Sequence, residues 1–541
     1  MREVRWYRVH TRPCLMTRTF FIRRKGDRDM KQIKKLLICL TAVLLAFASL
    51  PIIAFAQEGE ESDGERSLLD EIKERGVLIV GTSPDFPPNE FIDSTKTGQD
   101  QYVGSDIELA KYIAQRMGVD LRIEASNFDT VLANLSTGQI DLAITGLAYT
   151  PARAQSMELS IGYNMDEDSE ASAQGVLIRA EDADKYRTLE DLRGVKIAAQ
   201  SGSIQEQYVK DQISDPQLQS ITTIDDGVAL LKNGSVDAVA TSMPTGIQYA
   251  QNNSDLATME EEFDISADYA GTRIGAPLGE KELIEEVNTI LEDVNEQGLY
   301  EQWYEEAIEL NNNMTSITAT SFLGTLVQIV QSFWPQLLQG LLITLGLAAI
   351  TVFFGTLVGA LFALIKLSKN KLVQAVCTAY VELIRGTPLL LQLWLFITVF
   401  STLSGGDMPM LVSVIIALVV NSSAYVAEII RSGIQSVDKG QREAAKSLGM
   451  SNRNTMTKII LPQAVKNILP ALGNEFVMMV KETSLASTFF IGELMTVNTV
   501  IKSATYKSIE PLVIVGLIYF IVTFTLSKGV KYMERRLSVS D

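Results

Sequence analysis

Residues 443 to 462 read EAAKSLGMSNRNTMTKIILP, a polar, basic segment set between two apolar stretches. Glu443, Ala444 and Ala445 are followed at fixed distances by Gly449, Ile459, Leu461 and Pro462. Ala444, Ala445 and Leu448 form a small apolar stripe at helical spacing. Gly449 is placed to stop that helix, and Pro462 falls where the next span begins. A short amphipathic helix held between membrane spans has to dock on something soluble.

The surroundings of that loop support the membrane reading. Apolar stretches able to cross a bilayer occur near 338–365, 388–404, 409–430, 464–480 and 511–529. With the preceding residues outside, five spans place the C-terminus inside. Lys366, Lys369, Lys371 and Arg385 then fall on the inner side, as do Arg431, Lys439, Arg442, Lys446, Arg453 and Lys458 around the quoted loop, and Lys528, Lys531, Arg535 and Arg536 near the end. Loops assigned to the outside carry mainly Lys502 and Lys507. This positive-inside bias predicts an external N-terminal part and a cytoplasmic loop at 434–462.

The net charge of −18 conceals three differently charged parts. Residues 1–56 hold 12 basic and 3 acidic side chains, residues 57–324 hold 17 and 51, and residues 325–541 hold 18 and 11. So acidic a middle argues against a nucleic-acid partner. From Met30, MKQIKK is a basic n-region, LLICLTAVLLAFASL an apolar h-region, and Ala54-Phe55-Ala56 a cleavage site. A signal peptide over 30–56 is expected, with 1–29 an upstream, misassigned start and 57–69 an acidic tether. The only histidine, His10, lies before that signal, and Cys14, Cys39 and Cys377 lie outside the exported part. A histidine base, a disulfide and a metal site are therefore not expected there.

The exported part alternates strand and helix patterns. GVLIVGTS (76–83), the helix pattern DIELAKYIAQRMGV, the strand LRIEAS, the helix FDTVLANLSTG and the strand IDLAITG follow one another. A similar order restarts at GVKIAAQ (194–200) and runs to VDAVATS (236–242). Two α/β lobes in tandem are implied, with a cleft between them as the ligand site. The acidic helical segment 281–310 is expected to close the domain on the first lobe, and 311–323 to be a linker.

With these residues in view, the loop resembles the EAA pattern, EAA-x3-G-x9-I-x-L-P, of permease subunits in bacterial ABC importers. Glu382-Leu-Ile-Arg-Gly-Thr-Pro388 and Asn421-Ser-Ser-Ala-Tyr-Val-Ala-Glu428-Ile-Ile-Arg431 resemble its polar amino acid subfamily. Structural pairing is the expectation for Glu382, Arg385, Glu428 and Arg431. GTSPDFPPNEF, DIELAKYIA and FDTVLANLSTGQIDLAITGLAYTPARAQSMELS resemble the solute-binding proteins for polar amino acids. Together the two resemblances imply a two-lobed α/β domain of the periplasmic-binding-protein type II class over 70–310. An all-α membrane domain of five transmembrane helices, of the type I importer permease class, would follow over 324–541.

The resemblance also implies roles. Arg153 would pair with the ligand α-carboxylate, for which a guanidinium supplies two parallel N–H donors. Phe86 and Phe128 would enclose the side chain, Gly146 would present backbone, and Ser203 and Gln205 would contribute from the second lobe. Thr150 is read as a helix cap. Three positions depart from the family pattern. Ser242 stands where an aspartate commonly meets the ligand ammonium, Ala148 where a hydroxyl helps hold the carboxylate, and Ser83 where some members carry an acid. A neutral polar or acidic amino acid such as glutamine is favoured over a cationic one. Glu443, Ala444, Ala445 and Gly449 would seat in a cytoplasmic ABC ATPase dimer. The chain contains no GxxxxGK[ST] loop, so ATP and Mg are expected on that partner and no cofactor here. A homodimer in the lipid bilayer is the economical assembly. The rivals are a ligand-gated channel and a binding-protein-fold enzyme, for which Asp85 and Glu90 would be the candidate acids or else solvated loop residues.

Overall fold

A computed structural model describes residues 67–541 apart from 94, 97, 164–172, 266–270, 315–316, 318–320, 367–369, 405–407 and 539–541. The expected extension, signal peptide and most of the tether lie outside the described residues. The α/β part contains β1 (Val77–Thr82), β2 (Asp120–Ala125), β3 (Leu142–Ala143), β4 (Met157–Leu159), β5 (Gln174–Arg179), β6 (Lys196–Gln200), β7 (Gln217–Ile221), β8 (Ala238–Ser242), β9 (Leu256–Thr258) and β10 (Gly275–Pro277). They build two five-stranded sheets, in the orders β2-β1-β3-β10-β4 and β9-β5-β8-β6-β7. Within each, the central strands run parallel and one strand runs antiparallel to its neighbours: β10 between β3 and β4, and β5 between β8 and β9. Parallel strands buried on both faces explain the unbroken apolar runs Leu78-Ile79-Val80 and Ile197-Ala198-Ala199.

The chain crosses between lobes twice. The crossings pair with each other where the Tyr163 and Thr272 backbones exchange N–H···O bonds, both at 3.0 Å. The acidic helices Lys281–Gln297 and Leu299–Met314 return to the first lobe, where Leu283, Val287, Leu291, Val294 and Tyr300 join the same core as Leu78, Ile107 and Ile113. Helix continues through Met314, so the first residues of the expected linker are helical.

From Phe322 onward the described residues are helical, with short breaks. Phe322–Lys366 is one helix of 45 residues. At about 1.5 Å per residue it is roughly 70 Å long, well beyond the ~30 Å of a hydrocarbon core. Its first part is amphipathic and buries Ile329, Phe333 and Leu337, at four-residue spacing, against Leu494, Val497 and Ile501. Three helices are long and apolar enough to cross a membrane, Phe322–Lys366, Met410–Gln435 and Glu510–Leu537. Two bent pairs bring the count up to five, Lys371–Gly386 with Leu389–Phe400 at 111° and Asn452–Phe489 with Leu494–Thr505 at 47°. The bends fall on the two stretches whose apolar runs are shortest.

Candidate functional site

The interlobe cleft gathers residues from the C-terminal ends of strands, where loops are free to vary. On the first lobe, the loop after β1 carries Ser83, Asp85 and Phe86. Ser83 donates its N–H to Thr145 Oγ1 at 3.0 Å and its hydroxyl to Asp85 Oδ1 at 2.7 Å. The loop folds back on itself, with Phe86 and Glu90 exchanging backbone bonds at 3.1 Å. That turns the Glu90 carboxyl inward, 1% exposed, where Oε1 accepts the Thr145 hydroxyl at 2.7 Å and the carboxyl shares a hydrogen bond with Asp106. Burial pushes Glu90 well above the usual carboxylate range, and the neighbouring Asp106 adds to the rise. Asp85, partly buried, is pushed up to about 7, chiefly by desolvation, against the bond from Ser83 and with help from Asp225 on the second lobe.

Gly146 sits at φ +54° and donates its N–H to Asp106 Oδ2 at 2.7 Å. A side chain there would begin 3.3 Å from the Phe86 ring, so the backbone approach to the cleft needs glycine. Arg153 starts the short helix Arg153–Ser156, whose first turn is tied by the Thr150 hydroxyl accepting the Arg153 N–H at 3.1 Å. Its guanidinium lies over the Phe128 ring at 5.4 Å. Nη1 donates to the Ala148 carbonyl at 2.5 Å and Nη2 to the Gly202 carbonyl at 2.6 Å, so this one side chain spans both lobes. Arg153 is 6% exposed, its pKa is drawn down to about 10 by desolvation, and no carboxylate among the described residues pairs with it. A buried cation held only by neutral carbonyls is a site for an anion.

The second lobe contributes two helix N-termini. Ser203 caps Ile204–Gln212 by accepting the Glu206 N–H, and Ser242 caps Met243–Asn252 by accepting the Thr245 N–H. Gln205 Nε2 donates to Gln174 Oε1 at 2.6 Å. Two adjoining pockets fill the cleft. One is lined by Phe86, Gly146, Ala148, Gln205 and Ser242, the other by Asp85, Glu90, Phe128, Arg153 and Ser203. Every ligand-site residue expected from the sequence therefore lies on one cleft wall or the other.

One expectation is corrected here. Glu90 is not a solvated loop residue, because the Phe86–Glu90 turn drives its carboxyl into the protein. Sequence reasoning offered Glu90 only as a candidate acid of an enzyme cleft, and it missed Thr145 and Gln200, which line the same pocket. Nothing in periodicity reveals a carboxyl turned inward by a tight loop. In the membrane part it also missed Glu475, which is 4% exposed and accepts the Ser422 hydroxyl at 3.0 Å.

The loop at 443–462 folds into the helix Lys439–Ser447, begun by Asp438 accepting the Gly440 N–H at 2.7 Å. Gly449, at φ +76°, ends it, with the Gly449 and Met450 N–H groups bonding to the Lys446 and Ala445 carbonyls. The apolar stripe divides. Ala445 is buried, whereas Ala444 is exposed and Leu448 is 82% exposed. Pro462 does lie at the start of a helix, Leu461–Glu482. Glu428 pairs with Arg431 and Lys366, while Arg385 lies over the Tyr425 ring at 5.3 Å. The structural pairing anticipated for these charges is present at Glu428 and Arg431.

Fold and site together define a two-lobed receptor joined in one polypeptide to a bundle of membrane-crossing helices. Residues 78–309 match the bacterial extracellular solute-binding proteins, family 3, and residues 355–539 match the binding-protein-dependent transport system inner membrane component. The arginine transport system permease ArtQ of Bacillus subtilis (strain 168) is 37% identical over 220 residues, 41% of this chain and 98% of ArtQ. A Rickettsia bellii (strain RML369-C) permease named GlnP, for glutamine transport, is 38% identical over 38% of this chain and 97% of its own length. The nopaline permease NocM of Agrobacterium fabrum (strain C58) is 40% identical over 38% and 90%. Among solved structures, a Streptococcus pneumoniae amino acid ABC transporter substrate-binding protein bound to L-arginine is 33% identical, with 45% of this chain and 98% of that one covered and a TM-score of 0.41. The chain belongs to the ABC-type amino acid importers, as a subunit that fuses substrate-binding protein and permease. It is a transport protein, as its relatives are.

Proposed function

We propose that the cleft binds a polar amino acid with a neutral side chain, glutamine being the model ligand, and that the membrane helices pass it inward. The observation that carries this reading is Arg153, a buried guanidinium without a carboxylate partner, set where a ligand α-carboxylate can reach it. Asp85, in the same pocket, takes the ligand ammonium in place of the aspartate that Ser242 replaces. Glu90, oriented by the hydroxyl that Thr145 donates to it, retains its proton and donates to a side-chain carbonyl between Phe86 and Phe128. The glutamine name of one relative accords with this.

The remaining parts of the reading follow from the importer class. The binding domain is extracellular, and the 443–462 loop and the C-terminus are cytoplasmic. Leu448 and Ala444, apolar and exposed, are covered by a separate ATPase that carries ATP and Mg. Two copies of this chain with two ATPases complete the pathway.

A test follows from Asp85. An ammonium stabilises its ionised form, so binding below pH 7 releases a proton and affinity rises with pH. With Asp85 pushed up to about 7 by desolvation, L-glutamine should bind about 10-fold more tightly at pH 8 than at pH 6. Calorimetric titration of the full chain checks this, and an affinity flat across that range contradicts the role given to Asp85.

A second reading, a cationic side chain, is favoured by the two acids Asp85 and Glu90 lining one pocket and by the arginine relative. Both acids would then ionise, so binding at pH 6 would release about two protons instead of about one. Titration in buffers of different ionisation enthalpy separates the two.

A further inference from the structure

One element of the membrane half meets both lobes of the receptor. On the first lobe, Val500 of the helix Leu494–Thr505 joins the core that contains Leu78 and Ile107. Val500, Ser503 and Ala504 also line a small pocket with Pro84, Phe91 and Ile92. On the second lobe, Lys502 Nζ lies 3.3 Å from Asp226 Oδ1, with the lysine side chain 9% exposed. The turn after the helix extends this contact. Asn253 Nδ2 donates to the Tyr506 carbonyl at 2.8 Å, Lys507 Nζ donates to the Asn252 carbonyl at 2.5 Å, and the Tyr506 ring packs edge-on against Tyr249 at 5.2 Å.

The first lobe is held by apolar packing and by Asn311 of the helix Leu299–Met314, whose Nδ2 donates to the Tyr506 hydroxyl at 2.8 Å. The second is held by the ion pair, by hydrogen bonds to backbone and by the Tyr506–Tyr249 ring contact. An ammonium so nearly buried requires a carboxylate, and removing one partner strands the other charge at a cost of several-fold to many-fold in affinity. Asp226, its side chain 49% exposed, follows the buried Asp225 in the first turn of Ile224–Lys232, and Asp225 accepts the Tyr249 hydroxyl at 2.5 Å. Because both sets of contacts are on one short helix, lobes rotating about the Tyr163–Thr272 crossing satisfy both only at the angle seen here.

We infer that Leu494–Thr505, with Tyr506 and Lys507, is the receptor-docking element of the permease, that it grips both lobes at once, and that Lys502–Asp226 is its charge-matched contact with the second lobe. The partner is this chain's own binding domain, and the inference does not depend on which amino acid the cleft takes.

Charge exchange tests it on the full chain in lipid nanodiscs without ligand, read by hydrogen–deuterium exchange at 494–506 and 224–232. Lys502→Asp and Asp226→Lys should each raise exchange in both segments by about 10-fold. The double variant, which restores an ion pair in reverse, should return exchange to within about threefold of the parent. A lysine needed only to fold its own helix would not be rescued. Unchanged exchange in the single variants, or failure of the double variant to restore protection, overturns the assignment.

Discussion

Arg153→Met should leave the receptor folded and remove amino acid binding, weakening it by about 100-fold or more. The side chain is buried in the cleft, and its donors reach the Ala148 and Gly202 carbonyls from opposite lobes. A ligand carboxylate competing for those donors gains a charge-assisted, two-pronged contact, and truncating one side of such a pair costs roughly 2–5 kcal/mol. Methionine keeps the packing over Phe128 while deleting the charge. Arg153→Lys should recover only part of the affinity, since an ammonium is a point charge and cannot present the planar fork. Calorimetric titration with L-glutamine, together with thermal unfolding to confirm the fold, reads the outcome. Binding within about threefold of the parent would remove Arg153 from the site.

Gly449→Asp should separate binding from transport. Gly449 ends the Lys439–Ser447 helix at φ +76°, and a Cβ built there meets nothing within 4 Å. Aspartate tolerates that backbone better than most residues, so the local fold should survive at a cost of about 1 kcal/mol. It does place a carboxylate beside the exposed Leu448, on the surface assigned to an ATPase. Burying an unpaired charge at an interface costs several kcal/mol, so uptake of labelled L-glutamine should fall at least about 10-fold. Ligand affinity, measured on the same variant, should be unchanged. Uptake at the parental rate would refute the docking role of the loop.

Much of this arrangement is legible in the chain. Alternating strand and helix patterns separated the two lobes because each element buries one continuous face. The apolar runs marked the membrane half for the same reason. What escaped reading depends on contacts between distant segments. IDLAITG yields a strand of only two residues, Leu142–Ala143, because pairing across the sheet and not propensity sets its length. The 444–448 stripe reads as one face, yet Ala445 is buried and Leu448 left open, a division that only tertiary packing decides. Arg153 was named from its motif, whereas Glu90 was left between a cleft acid and a solvated loop residue, because a loop residue's burial is set by the turn that carries it. The acid missing at Ser242 led the sequence reading towards a neutral ligand, and the acids found at Asp85 and Glu90 make protonation the variable that decides.

The central claim is that one polypeptide both captures an amino acid and carries it into the membrane. Its most direct test is calorimetric titration of the full chain in lipid nanodiscs with each of the twenty standard amino acids. Saturation of one site per chain by a polar amino acid, abolished by Arg153→Met, is the predicted result; no binding by any of them would contradict the account.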